Sequence, residues 1–300
     1  MKAAAPAIAI VASLASAEGA WAQTFPGDAA FAPLRCRADR PAFDPRGDTA
    51  GNVPPRDLVG DDASPAAYRA VDAGWLYLRM RLDADPRVPG GTAPRPFGWG
   101  VAFDTNDDRT DYEALLILAG ADARVALHRN TTTTVRPNSL ADPADSPPLS
   151  SGPFDVRARV VAAGSMFGGD PDVFLDLAAP WSELAAVGVT PTGAVRLWVG
   201  SSTAGDRLDD DIVCHDGGGG GGPGPAPGDV DPPRIALDPA APQPGGGGAT
   251  QTRAFEGGPG CAVATRAPSS ATGALGLVMM VLLAFARAAA VRRSAPPRSG

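Results

Sequence analysis

The densest run of oxygen-bearing side chains in this sequence is Asp104-Thr-Asn106-Asp-Asp108-Arg-Thr-Asp111-Tyr-Glu113. Asp104, Asn106 and Asp108 alternate as ligands do in a calcium loop, and a hard divalent cation takes several carboxylate and amide oxygens. With Asp111 and Glu113 they form a candidate calcium site. The EF-hand pattern is not met, because its sixth position holds Arg109 and its twelfth Leu115. The alternative is a polar hairpin between two strands, with Asp and Asn chosen for turn geometry. A second acidic run, Asp209-Asp210-Asp211, reads as a solvated turn. Groups suited to catalysis are sparse. The two histidines, His128 and His215, stand in no zinc-binding spacing. Gly200-Ser-Ser202-Thr-Ala204 approaches a nucleophile elbow, but it ends in alanine and has no helix beyond it. Ser202 is therefore expected to be a loop hydroxyl. Acidic residues are plentiful, so a carboxylate pair for glycoside cleavage stays open, but the expectation is a protein without catalytic activity.

The three cysteines, Cys36, Cys214 and Cys261, take their meaning from the compartment. Met1–Ala22 has the form of a secretory signal. Lys2 supplies the basic start, Ala3–Leu14 is an apolar segment too short to span a bilayer, and Ala15-Ser-Ala17 and Ala20-Trp-Ala22 both suit cleavage. Cleavage before Gln23 is preferred. Export implies an oxidising compartment, where disulfides persist. Cys36 and Cys214 bracket the region 23–216 and are expected to pair, the alternatives being a free thiol or a bond to Cys261. The loop so closed runs to 179 residues, for which chain entropy gives an upper figure of roughly 5 kcal/mol.

Between Gln23 and Asp216 there are 28 acidic and 18 basic residues, a difference of −10. Such a surface repels phosphate backbones, which argues against nucleic acid as a partner. The segments that must position the acidic loop read as strands. Trp75–Leu82 alternates with Leu76, Leu78, Met80 and Leu82 on one face and Trp75, Tyr77, Arg79 and Arg81 on the other, the period of a half-buried strand. Phe97–Phe103 places its apolar residues on one face with glycines between them. Tyr112–Ala119 is apolar apart from Glu113, as a strand covered on both faces would be. Ala67–Val71, Arg124–Arg129, Asp155–Ala162, Asp172–Leu177 and Val195–Ser201 complete the set. Helical periodicity is short-lived here, and Gly, Pro and Asp turns separate the strands. An all-β, antiparallel sandwich follows. In Leu175–Leu184 a strand runs into Pro180, which suits the first position of a short helix. Trp181 and Leu184 can then pack on one side of a single turn.

The strand followed by Ala179-Pro-Trp-Ser-Glu-Leu184, Trp75-Leu-Tyr-Leu78 after an Asp-x-Gly turn, and Val101-Ala-Phe-Asp104 opening the acidic loop together resemble the family 9 carbohydrate-binding-module and DOMON-like sandwiches. The resemblance spans roughly Gly47–Ser202. It implies a jelly-roll topology and ligand binding without catalysis, with a polysaccharide as the first candidate. Exposed aromatics such as Trp75 or Trp198 would stack on sugar rings. A few DOMON-like domains hold haem between Met and His, for which Met80, Met166 and His128 would be the candidates, although Met80 alternates with the apolar face.

Residues 217–260 are rich in glycine and proline and are expected to be a disordered stalk. The exception in composition is Arg234-Ile-Ala-Leu237, too short for a domain. In the last segment, 261–300, Ala271–Ala286 is uncharged, and an extended helix 271–291 would measure about 31 Å, near the thickness of a bilayer's hydrocarbon core. Arg292 and Arg293 would stay on the cytoplasmic side. Gly260-Cys261, a short spacer, this apolar helix and the arginines resemble the MYXO-CTERM sorting tail of myxobacterial surface proteins. That resemblance implies Cys261 as the site of processing and lipid attachment, with a sorting protease as a partner and the membrane as anchor. The expectation is an exported, surface-anchored binding module, with a structural or adhesive envelope protein as the alternative.

Overall fold

The alternation in Trp75–Leu82 is realised as one long strand whose leucine face turns inward. Leu76, Leu78, Met80 and Leu82 are all fully buried. In this computed structural model the chain is described over residues 23–37, 39–108, 111–132, 140–214 and 232–241. The segment read as a secretory signal, most of the glycine-rich stretch, His215, Cys261 and the apolar segment 271–291 lie outside the described residues.

The strands in chain order are β1 (Ala32–Pro33), β2 (Arg35–Arg37), β3 (Arg40–Pro41), β4 (Ala67–Val71), β5 (Trp75–Leu82), β6 (Gly98–Asp104) and β7 (Ala114–Ala119). They continue with β8 (Arg124–Arg129), β9 (Ser150–Pro153), β10 (Ala158–Ala162), β11 (Val173–Pro180), β12 (Ala194–Ser202), β13 (Asp211–Ile212) and β14 (Ile235–Ala236). All pairings are antiparallel. One sheet runs β1-β4-β5-β11-β10, the other β13-β12-β6-β7-β8-β9 with β14 also on β12, and β2 pairs β3. Alternate residues of β5 and β11 from the first sheet meet Trp99, Val101, Phe103, Leu116, Leu118, Leu197 and Val199 from the second in one core. The architecture is mostly strand and compatible with an all-β sandwich.

Both sheets carry buried side chains on their outer faces. On β5 the polar side is buried too, with Arg79 and Arg81 only 2% and 3% exposed. The N-terminal segment crosses this face, and Arg79 lies between the rings of Phe31 and Phe174, at 3.8 and 4.4 Å from their centroids. Its guanidinium donates to both oxygens of Asp176, directly across on β11, at 2.7 and 3.0 Å. On the second sheet, Leu115, Ile117 and Trp198 pack outward under Tyr112, Leu140, Leu208 and Ile212. This explains why β7 is apolar on both sides.

The glycines of Phe97–Phe103 mark the same covering. A Cβ at Gly98 would lie 2.0 Å from the carbonyl oxygen of Ala204, and one at Gly100 2.5 Å from that of Leu116. Backbone cannot yield as a flexible side chain can. Gly98→Ala is therefore expected to cost about 1–3 kcal/mol through overpacking, as measured by urea denaturation. A change below about 0.5 kcal/mol, the level of an ordinary surface substitution, would contradict this packing.

Several boundaries differ from the sequence reading. Phe154–Arg157 forms one helical turn, α1, before β10, because the chain crosses from one sheet to the other there. Pro180 closes β11 and stands just before the helical turn α2 (Trp181–Leu184), whose Leu184 is fully buried. Cys36 and Cys214 are joined, with Cα atoms 5.3 Å apart, so neither is a free thiol or bonded to Cys261. Residues 232–241, inside the stretch expected to be a stalk, dock on the domain. Ile235–Ala236 pairs with β12, Leu237 is fully buried, and its carbonyl accepts from Arg69 Nε at 2.9 Å. Two apolar residues suffice because β12 offers an open edge and the core a slot for Leu237.

Candidate functional site

The acidic loop begins at the buried end of β6. Asp104 is fully buried; its Oδ1 accepts from the backbone N–H groups of Asn106 and Asp107, and its Oδ2 from Arg196 Nε at 3.1 Å. Arg196 also pairs with Asp107 at 2.6 Å and donates to the carbonyl of Pro232. One arginine thus ties the loop to β12 and to the docked 232–241 segment. Glu113 accepts from the backbone and hydroxyl of Thr105 and from the amide of Asn106. The Asn106 side-chain oxygen caps the N–H of Asp108. Burial holds the carboxyls of Asp111 and Glu113 above the ordinary range, neighbouring acidic groups adding to the effect. The structure brings Asp104, Asn106 and Glu113 together, but as a hairpin whose oxygens face an arginine, backbone N–H groups and a side-chain amide. The loop's Arg109 lies outside the described residues.

Among the described residues, the carboxylates that converge most closely are Asp44, Asp48 and Asp211, with one oxygen from each within 4.8 Å of the others. Asp211 was expected in a solvated turn. Instead it is 4% exposed, and its Oδ2 accepts from the N–H of Leu58 at 2.6 Å. The rest of that run is also committed: Asp210 pairs with the buried Arg56 at 3.0 Å, and Asp209 accepts from the Ser202 hydroxyl. These groups are far apart in sequence. The available signal was the disulfide, since Asp44 follows Cys36 by eight residues and Asp211 precedes Cys214 by three.

The other singled-out residues are dispersed. Ser202 Oγ accepts from the N–H of Ala204 besides bonding Asp209, as a turn hydroxyl does. His128 is buried on the outer side of β8, its Nδ1 2.9 Å from the carbonyl of Asp145. Met80 sits in the inner core and Met166 is 61% exposed, so neither makes an axial pair with His128. Trp198 is buried beneath the outer loops, while Trp75 is half-buried against Tyr77 and Phe25.

An open cleft of about 560 Å³ lies where the β5–β6 connection meets α1 and β10. Its walls include Arg87, Thr92, Pro94, Phe154, Asp155 and Arg159. Phe154 is half-buried because it also packs on the core. Arg87 is held by Asp85 through both carboxylate oxygens, and this contact keeps the Asp85 carboxyl below its usual range. Arg159 reaches Asp176 and the carbonyl of Pro26. The cleft therefore offers one aromatic face among guanidinium, hydroxyl and carboxylate groups that are already oriented. Sequence reasoning missed it because its residues come from four separate segments. Among the described residues no helix is long and apolar enough to cross a membrane.

Comparison with protein-family models, with curated proteins and with solved structures found no match.

Proposed function

We propose that this protein is an exported, surface-anchored module that binds a polysaccharide without cleaving it, on a sandwich of jelly-roll type. The observation that carries the reading is the Arg87–Phe154–Arg159 cleft. A sugar ring presents an apolar face and a rim of hydroxyls. Phe154 supplies a surface for the former, and Thr92, Asp155 and the arginines supply donors and acceptors for the latter. The volume falls in the ordinary range for ligand sites, about 300–1,000 Å³. Export and anchoring rest on the secretory form of Met1–Ala22 and on the sorting-tail resemblance around Cys261. The acidic surface fits a neutral or cationic ligand better than a polyanion.

A second reading, a structural or adhesive envelope protein without a small-molecule site, draws support from the burial of Trp198, which removes one stacking platform. Arg87→Ala separates the two. Arg87 lies at the surface in a pair with Asp85, so its loss should leave folding intact. Retention on a panel of immobilised polysaccharides should fall about tenfold, equivalent to about 1.4 kcal/mol. Unchanged retention would remove the cleft from the binding reaction.

A further inference from the structure

The carboxylate group beside the disulfide is built where the two ends of the domain meet. Asp44 is pinned by a backbone exchange with Gly60, N–H to carbonyl in both directions at 2.9 Å. Gly60 must be glycine, because a Cβ there would lie 2.3 Å from the backbone nitrogen of Ala66. Cys214 donates its N–H to the carbonyl of Phe43, the residue before Asp44. The Asp44 carboxylate is thereby held against Asp48 and against Asp211 on β13. Asp44 is 1% exposed, and neither of its oxygens meets a hydrogen-bond donor. Asp57 is fully buried beside them; its Oδ2 accepts from the N–H of Gly47, but its Oδ1 meets no donor. Arg56 pairs with Asp210 and Arg46 with Asp83.

Anionic oxygens brought together out of water need either protons or a cation between them. We propose that Asp44, Asp48 and Asp211, with Asp57 beside them, bind one calcium ion that ties the 44–57 loop to the end of the domain. The donor set is all oxygen, without histidine or cysteine, which selects a hard cation over zinc or copper. An irregular loop facing a short strand suits the flexible coordination of calcium better than the strict octahedron of magnesium. The rival arrangement is a proton shared between Asp44 and Asp211.

The test uses the full chain in mild detergent, oxidised and stripped with EDTA, then titrated with calcium chloride at pH 7.5. The expected result is one calcium bound per chain and a higher melting temperature. Asp44→Asn should weaken calcium binding by at least about 10–100-fold, the cost even of losing a group that only orients a ligand. In EDTA it should melt at or above the wild-type temperature, because it removes a buried charge, so loss of binding is not loss of fold. Asp211→Asn, which keeps its oxygen toward Leu58, should behave alike, and Glu113→Gln should bind as wild type. Absence of calcium binding at pH 7.5 would overturn the proposal in favour of the shared proton. Binding lost in Glu113→Gln and kept in Asp44→Asn would overturn it in favour of the 104–113 loop. No readout involves a polysaccharide, so this test stands apart from that of the cleft.

Discussion

Replacing Cys36 and Cys214 together with serine should lower stability by about 2–5 kcal/mol. For a domain of this size that is a fall of roughly 5–20 °C in melting temperature. The bond closes the chain across a sequence separation of 178 residues, so its removal releases nearly the whole domain in the unfolded state. It also frees the contacts that the bridge organises: Cys36 Sγ accepts from the N–H of Phe43, and Cys214 donates to the carbonyl of the same residue. Strand β2 and the end of β13 would lose their common anchor, and with it the approach of Asp44 to Asp211. Differential scanning calorimetry of the oxidised protein and the double variant measures the effect. A fall of less than about 2 °C would mean that the ends are held by other contacts.

Asp176→Ala should be the most damaging single substitution on the outer face of the first sheet, at about 3–5 kcal/mol. Asp176 is fully buried and accepts from Arg79 through both oxygens and from Arg159 Nε at 2.6 Å. Among the described residues, truncation leaves the Arg79 guanidinium between two phenylalanine rings with exposed Asp28 as its remaining carboxylate partner. The cost comes from stranding a buried charge, more than from the net value of the pair. Arg79→Met combined with Asp176→Leu should accordingly recover most of the loss, since well-packed apolar groups replace a buried ion pair at little or no cost. Urea denaturation of the three proteins checks this. A double variant as unstable as Asp176→Ala would show that the network contributes by attraction.

What the sequence made legible was local. The leucine face of Trp75–Leu82, the two-sided apolar character of β7 and the turn carrying Leu184 each follow from spacing within ten residues. The disulfide was legible because the expected export would place two bracketing cysteines in an oxidising compartment. What failed to show depended on partners far along the chain. Arg79 and Arg81 alternate as solvent-facing residues do, but Phe31, some fifty positions earlier, covers Arg79, and Phe174, some ninety later, lies over both. The arginine that meets Asp104 at the start of the acidic loop comes from 92 residues away. Asp211 sits in a run of three aspartates whose local pattern says turn, while its burial is decided by the Asp44–Asp57 loop. The 232–241 segment looked like linker because its apolar content is two or three residues, enough to fill an edge but not to signal one.

The claim that this chain is a polysaccharide-binding module, and no hydrolase, meets its most direct test in one equilibrium measurement. The oxidised protein is titrated by calorimetry into each soluble member of a polysaccharide panel, and chain length is read on the recovered ligand. Saturable binding to at least one polysaccharide is expected, weakened in Arg87→Ala, with the ligand recovered at its original length. Shortened ligand would establish a hydrolase, and absence of binding across the panel would move the protein to the structural envelope role.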